Sequence, residues 1–416
     1  MPIDTPSSRP HNRDRLARAV FITGLSFFLI AALLGIFLRL QALEPIAAVN
    51  YRHFLHAHSH AAFLAWVFNA LLAVSIQHFA TEDQLPAFRK VFYLLQIANL
   101  GMLASFPFQG YAFWSISFST LHMTTTFAFA WKLFRKNALP PLGRQYLRTA
   151  LVFMAISSVG PLALGPLGAL ELRDSPWYTL SIYFYMHFQY NGWFVFFLLA
   201  SVIALSHSKK LESAFAAAYP FLTAGCLLSL AQAAIWANFS YLVNLASLLG
   251  SILQLIGCGI IFSRIQNLDA GFIARLPYLQ RQLLRVALAC LILKFVFQFA
   301  GSLPGLDVLA SHRSAAIGFL HLVFLGVVTP ALIAWGISNN WIRNSKTTVT
   351  ASALYLLSFA IGEAVLFYVP AATLTQWPHL PHTPEILTAA AALTGLSIAA
   401  LLTQARFNLE RAVECG

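Results

Sequence analysis

Four of the chain's thirteen histidines, His53, His56, His58 and His60, fall within eight positions of the run "YRHFLHAHSHAAFLAWVFNALLA", residues 51 to 73. Three more, His122, His187 and His321, stand inside other long apolar runs. Imidazole binds zinc, copper, non-haem iron and haem iron. A neutral imidazole in lipid is costly unless its nitrogens find partners, so intramembrane histidines face either a packed bundle interior or a cofactor. Carboxylate partners for a bare metal cluster are nearly absent, since the only clear acid within an apolar run is Glu363. Haem asks for less: one or two axial ligands and an apolar, aromatic-rich slot between helices. The histidine set therefore favours haem over a zinc or copper cluster. Cys226, Cys258, Cys290 and Cys415 are scattered and form neither a disulfide framework nor a thiolate metal site.

The elements that must position these side chains follow from composition. Apolar residues make up 59% of the 416 residues, charged residues only 10%, and the mean hydropathy is +0.71. These values exclude an ordinary soluble domain and predict an all-α polytopic membrane protein. The net charge of +12 then belongs to cytoplasmic loops rather than to a nucleic-acid surface.

A span needs about 20 apolar residues, and such runs fall near 17–40, 57–79, 89–108, 112–134, 146–168, 177–205, 215–237, 241–262, 282–302, 314–337, 348–369 and 385–404. The first lacks a small-residue cleavage site and reads as a retained helix. Basic residues concentrate in alternate loops. One side takes Arg9 to Arg18, Arg89 with Lys90, Lys132 to Arg148, Lys209 with Lys210, Arg264 to Arg285, Arg343 with Lys346, and Arg406 with Arg411; the other has only Arg52, Arg173 and Arg313. The alternation predicts about twelve spans with both termini cytoplasmic. The expected layout is a cytoplasmic tail (1–16), one twelve-helix membrane domain (17–404) and a second cytoplasmic tail (405–416), in a bacterial inner membrane.

In this topology the even-numbered spans enter from the outer face. At ~1.5 Å per residue, His58 and His60 sit at the mouth of span two, and His122, His187 and His321 lie one to three turns further in, on spans four, six and ten. One layer in the outer half of the bilayer therefore collects histidines from four helices.

"HSHAAFLAWVFNALLA", His58 to Ala73, resembles the second helix of the haem-copper oxidase superfamily, in particular of its C-type oxidases and nitric oxide reductases. The resemblance implies a twelve-helix subunit I-like bundle with haem ligands on helices two and ten. In the C-type register His58 takes the place of the low-spin haem ligand; in the aa-type register His60 does. "IGFLHLVFLGVVTPAL" in span ten is similar to the helix carrying a His-x-His pair, with His321 at the low-spin position and Phe319 where the high-spin ligand would stand. "YFYMHFQYNGWFVFF" in span six resembles the helix that gives a histidine to copper or non-haem iron, with His187 in that place and Asn191 four positions on. Span seven, "AYPFLTAGCLLSLAQAAIWAN", lacks the histidine pair that would complete the metal site. Twelve-span NnrS-like proteins of nitric-oxide stress offer a second comparison.

The remaining intramembrane polar residues admit two readings each. Arg39 and Arg313 either snorkel to the interface or neutralise haem propionates, which the resemblance places on the outer side. Lys294 sits within "LILKFVFQFAG", where ionisation costs ~2.5 kcal/mol or more unless paired; Glu363 or Gln298 is its expected partner, and a proton or substrate path is the alternative.

The expected function is an integral membrane protein carrying one low-spin haem b between His58 or His60 and His321 for electron transfer, with a quinol or cytochrome as donor and room for a partner subunit. His187, His122 and His56 are the candidates for an altered second metal site. If the chain is an enzyme, it is a haem-dependent oxidoreductase: an oxidase or nitric oxide reductase with a rebuilt site. A non-catalytic haem or metal carrier, transporter or nitric-oxide-response protein is the remaining alternative.

Overall fold

The computed structural model describes residues 12–206, 208–237, 239–266, 276–306 and 312–414. Arg9, Arg275 and Cys415 lie outside the described residues. Every regular element among those described is helical. Long helices run in chain order as α1 (Asn12–Leu43), α2 (Tyr51–Phe79), α3 (Glu82–Gln109), α4 (Phe113–Arg135), α5 (Pro141–Ala169), α6 (Pro176–Ser206), α7 (Lys209–Ala237), α8 (Tyr241–Gln266), α9 (Tyr278–Ala300), α10 (Arg313–Ser338), α11 (Lys346–Thr375) and α12 (Thr383–Glu414).

Eleven of these are long and apolar enough to cross a membrane. The chain is a multi-pass membrane protein. The exception among the expected spans is α4, whose 23 residues are diluted by serine and threonine. Its hydroxyls are not bare, however. Ser117, Ser119, Thr120, Thr124, Thr125 and Thr126 each donate to the carbonyl four residues back at 2.7–2.8 Å. Such back-bonding hides the polar groups from lipid, so the composition understates how apolar the helix surface is.

Local signals set the helix ends. Asn50 accepts hydrogen bonds from the backbone N–H groups of Arg52 and His53, which starts α2. Thr81 and Gln84 form a capping box at the start of α3. Gly110, at φ +58°, ends α3; a side chain there would also collide with the His53 ring, 2.6 Å from the Cβ position.

Besides a π-helical stretch that ends α2 (Ser75–Phe79) and a 3-10 stretch that ends α7 (Ser229–Ala237), three helices widen directly after a histidine. π-helical stretches run over Ala61–Val67 in α2, Phe188–Phe194 in α6 and Leu322–Val328 in α10, and the residues immediately before them are His60, His187 and His321. Wider π turns are rare and gather at functional sites.

The chain divides into two compact units. One holds the described residues up to Lys132, Leu332–Gly362 and the chain from His382 onward. Its interior is aromatic: Phe28 stacks on Trp66 at 4.9 Å, and Phe21 meets Trp66, Trp335 and Trp341 at 5.5–6.3 Å. Asp14 accepts the indole N–H of Trp341 (2.8 Å), and Arg13 pairs with Glu82 (2.7 Å). The other unit comprises Leu133–Ala331 and Glu363–Pro381. There α7 and α8 approach closely because Gly225 presents no side chain to Gln254 and to the Gly250 carbonyl, both within 3 Å of where its Cβ would be.

Candidate haem-ligand and polar-core sites

In the first unit α2 presents its histidines to α1, α3 and α4. His58 directs Nδ1 at the Ala31 carbonyl oxygen of α1, 2.8 Å away. A carbonyl only accepts, so Nδ1 carries the proton and Nε2 is the basic nitrogen. That Nε2 has no hydrogen-bond partner among the described residues. The ring can lie against α1 because position 35 is glycine; a Cβ there would stand 3.1 Å from His58 Cε1. Arg39, one turn further along α1, lies within electrostatic range of His58.

His60 is held differently. Its Nδ1 bonds the His56 carbonyl within its own helix (2.9 Å), while the Tyr111 hydroxyl lies 3.4 Å from Nε2. Its ring packs on Phe106 with centroids 4.3 Å apart, and His56 meets Tyr111 edge-on at 4.6 Å. His122, on α4, is buried within electrostatic range of His60; it contacts Phe68 edge-on at 5.3 Å and has Thr126 Oγ1 3.3 Å from Nδ1. His56, His60 and His122 thus share one neighbourhood in this unit.

In the second unit His321 and Glu363 face each other, with Nδ1 and Oε1 4.0 Å apart, and Glu363 Oε2 is buried without a hydrogen-bond partner among the described residues. Arg313 is exposed at the first turn of α10.

The same unit contains a continuous buried hydrogen-bonded chain. His187 Nε2 donates to the Cys226 carbonyl on α7 (2.8 Å), and its Nδ1 accepts from Asn191 Nδ2 (3.1 Å) one turn on. Asn191 Oδ1 accepts from Lys294 Nζ on α9. Lys294 also donates to Gln298 Oε1 (2.9 Å), and Gln298 Nε2 donates to Gln254 Oε1 on α8 (2.6 Å). Gln232 donates to the Gln298 carbonyl at 2.9 Å. His187, Asn191, Lys294, Gln298 and Gln254 are all at most 2% exposed. Of the two partners expected for Lys294, the structure assigns Gln298, and Glu363 turns to His321 instead. Asn191 adds a second contact from another helix. Gln254 and the carbonyls of Ala31 and Cys226 are missing from the sequence reading. An intramembrane glutamine such as Gln254 was a signal available to it, whereas a backbone carbonyl leaves none.

No group of three or more His, Cys, Asp or Glu side chains arranged to hold a metal ion occurs among the described residues. His187 has both ring nitrogens committed to protein groups.

The chain is similar in fold to a haem-copper terminal oxidase determined by cryo-EM as a dimer, with a TM-score of 0.63. The fold is haem-copper oxidase-like. The match covers 96% of this chain and 84% of the oxidase chain at 12% sequence identity. No family model and no curated protein sequence matches the chain. At this identity the oxidase-like likeness concerns the helical architecture alone.

Proposed function

We propose that this is a membrane haem protein of a bacterial inner membrane that carries one low-spin haem b, with His58 as an axial ligand and His321 as the second ligand that the sequence resemblance implies, and serves electron transfer. The observation that carries the reading is the state of His58. Its Nδ1 is fixed by the Ala31 carbonyl, and the nitrogen left over is the one an axial ligand offers. A backbone acceptor of this kind sets the tautomer and ring orientation before any cofactor binds. His60 Nε2, by contrast, has the Tyr111 hydroxyl at 3.4 Å. His321 has Glu363 Oε1 4.0 Å from Nδ1, a distance beyond a hydrogen bond. The sequence resemblance on α2 and α10 implies the same pair.

A b-type haem with both axial positions filled supplies one-electron transfer rather than oxygen binding. Arg39, in electrostatic range of His58, is suited to neutralise a propionate by charge-assisted hydrogen bonds. A quinol or cytochrome is the donor class this chemistry calls for, and the oxidase likeness makes a partner subunit a reasonable companion.

The residues do not fit the copper that the oxidase likeness also implies. His187 has no nitrogen to spare, and its neighbour Asn191 is bound to the Lys294 side-chain nitrogen.

The test is spectroscopic. Detergent-purified protein should show a six-coordinate b-type spectrum that dithionite reduces and carbon monoxide leaves unshifted. Absence of haem absorbance would reject the proposal, and a carbon-monoxide shift would indicate an open iron position and an oxidase or reductase reading.

A further inference from the structure

Lys294 lies wholly within the second unit, 0% exposed, and no carboxylate is within ion-pair distance of it among the described residues. Its surroundings are nevertheless arranged for a positive charge. Nζ donates to Asn191 Oδ1 and Gln298 Oε1 and stands 4.0 Å over the Phe295 ring, with the Tyr190 ring at 6.0 Å. Amide oxygens and aromatic faces are the neutral groups that best stabilise a cation.

The direction of the hydrogen bonds strengthens the point. His187 must donate through Nε2 to the Cys226 carbonyl, which leaves Nδ1 as an acceptor. Asn191 must therefore turn its amide N–H to His187 and its oxygen to Lys294. On the other arm Gln298 turns its oxygen to Lys294 and its N–H to Gln254. Along both arms every dipole has its negative end toward Nζ.

We propose that the Lys294 ammonium is a resident cation of the polar core, supplying to the His187 side of the bundle the fixed positive charge that a bound metal ion would otherwise supply. The covalently attached charge needs no metal delivery and carries no redox chemistry. It also disfavours a metal ion at His187 twice over, by repulsion and by occupying, through Asn191, the nitrogen such an ion would need.

This inference is independent of the haem proposal, because metal is counted over and above haem iron. Two measurements test it on the full-length purified protein. The first is elemental analysis against haem content by pyridine haemochrome. Copper, zinc and non-haem iron should each fall far below one per chain; one such ion per chain, lost on His187→Ala, would overturn the proposal. The second is a thermal-unfolding cycle with Gln298→Glu and Lys294→Met. Beside a cation, Gln298→Glu should hold or raise the unfolding temperature, and in the Lys294→Met background the same change should lower it. Equal destabilisation by Gln298→Glu in both backgrounds would mean that position 294 carries no charge, and the proposal would fail.

Discussion

The His58 Nδ1 atom sits 2.8 Å from the Ala31 carbonyl oxygen, so a ring on α2 takes its orientation from the backbone of α1. His60, two residues on, takes its orientation from its own helix through the His56 carbonyl. The two histidines that α2 offers are therefore distinguishable by what holds them.

His58→Ala should abolish the low-spin haem signal, while His60→Ala should retain most of it. Reduced-minus-oxidised spectra of the two variants, normalised to protein, decide the matter. Loss in His60→Ala with retention in His58→Ala would transfer the axial role to His60.

Gly35→Val places side-chain atoms where a Cβ alone would come within 3.1 Å of the His58 ring. Helix α1 tolerates valine, so the fold should survive while the imidazole is displaced. Haem retention should weaken about tenfold or more, equivalent to ~1.4 kcal/mol. The readout is haem per chain after size-exclusion chromatography, with an unaltered elution position confirming the fold.

Glu363→Leu removes the group that faces His321 Nδ1 at 4.0 Å. The variant should still bind haem, because the ligand remains, but the low-spin electron paramagnetic resonance signal should broaden or shift as the imidazole plane loses its reference. An identical signal would show that Glu363 does not orient His321.

Gln254→Leu leaves the Gln298 amide N–H buried with its acceptor removed. The expected cost is about 1–3 kcal/mol, read as a lowered unfolding temperature in detergent. Leucine fills a comparable volume, so a stability change of this size reports the hydrogen bond rather than a cavity.

The sequence makes the helices legible because lipid imposes a length and a composition on each span, and every expected span corresponds to a long helix. Even α4 follows, although its hydroxyl residues obscure it in an average. Intramembrane polar residues were legible as a set for the same reason: Lys294, Gln298, Asn191 and Glu363 stand out against their apolar runs. Their pairing was legible only within a helix. Gln298 lies one turn from Lys294, whereas Asn191 is 103 positions away and meets it through packing that no local pattern encodes. The different settings of His58 and His60 were illegible on similar grounds, since that of His58 depends on where one carbonyl and one glycine of α1 fall against α2.

The π-helical stretches after His60, His187 and His321 bear on the chain's lineage as much as on its chemistry. Each π turn accommodates one residue more than an α turn, so everything beyond it is rotated by about 100° relative to an uninterrupted helix. Each such stretch behaves as a single-residue insertion lodged beside a histidine. Deleting one residue from Ala61–Val67 would restore ordinary winding and swing the Trp66-bearing face of α2 away from α1, so the length of these helices, and not only their side chains, is under constraint.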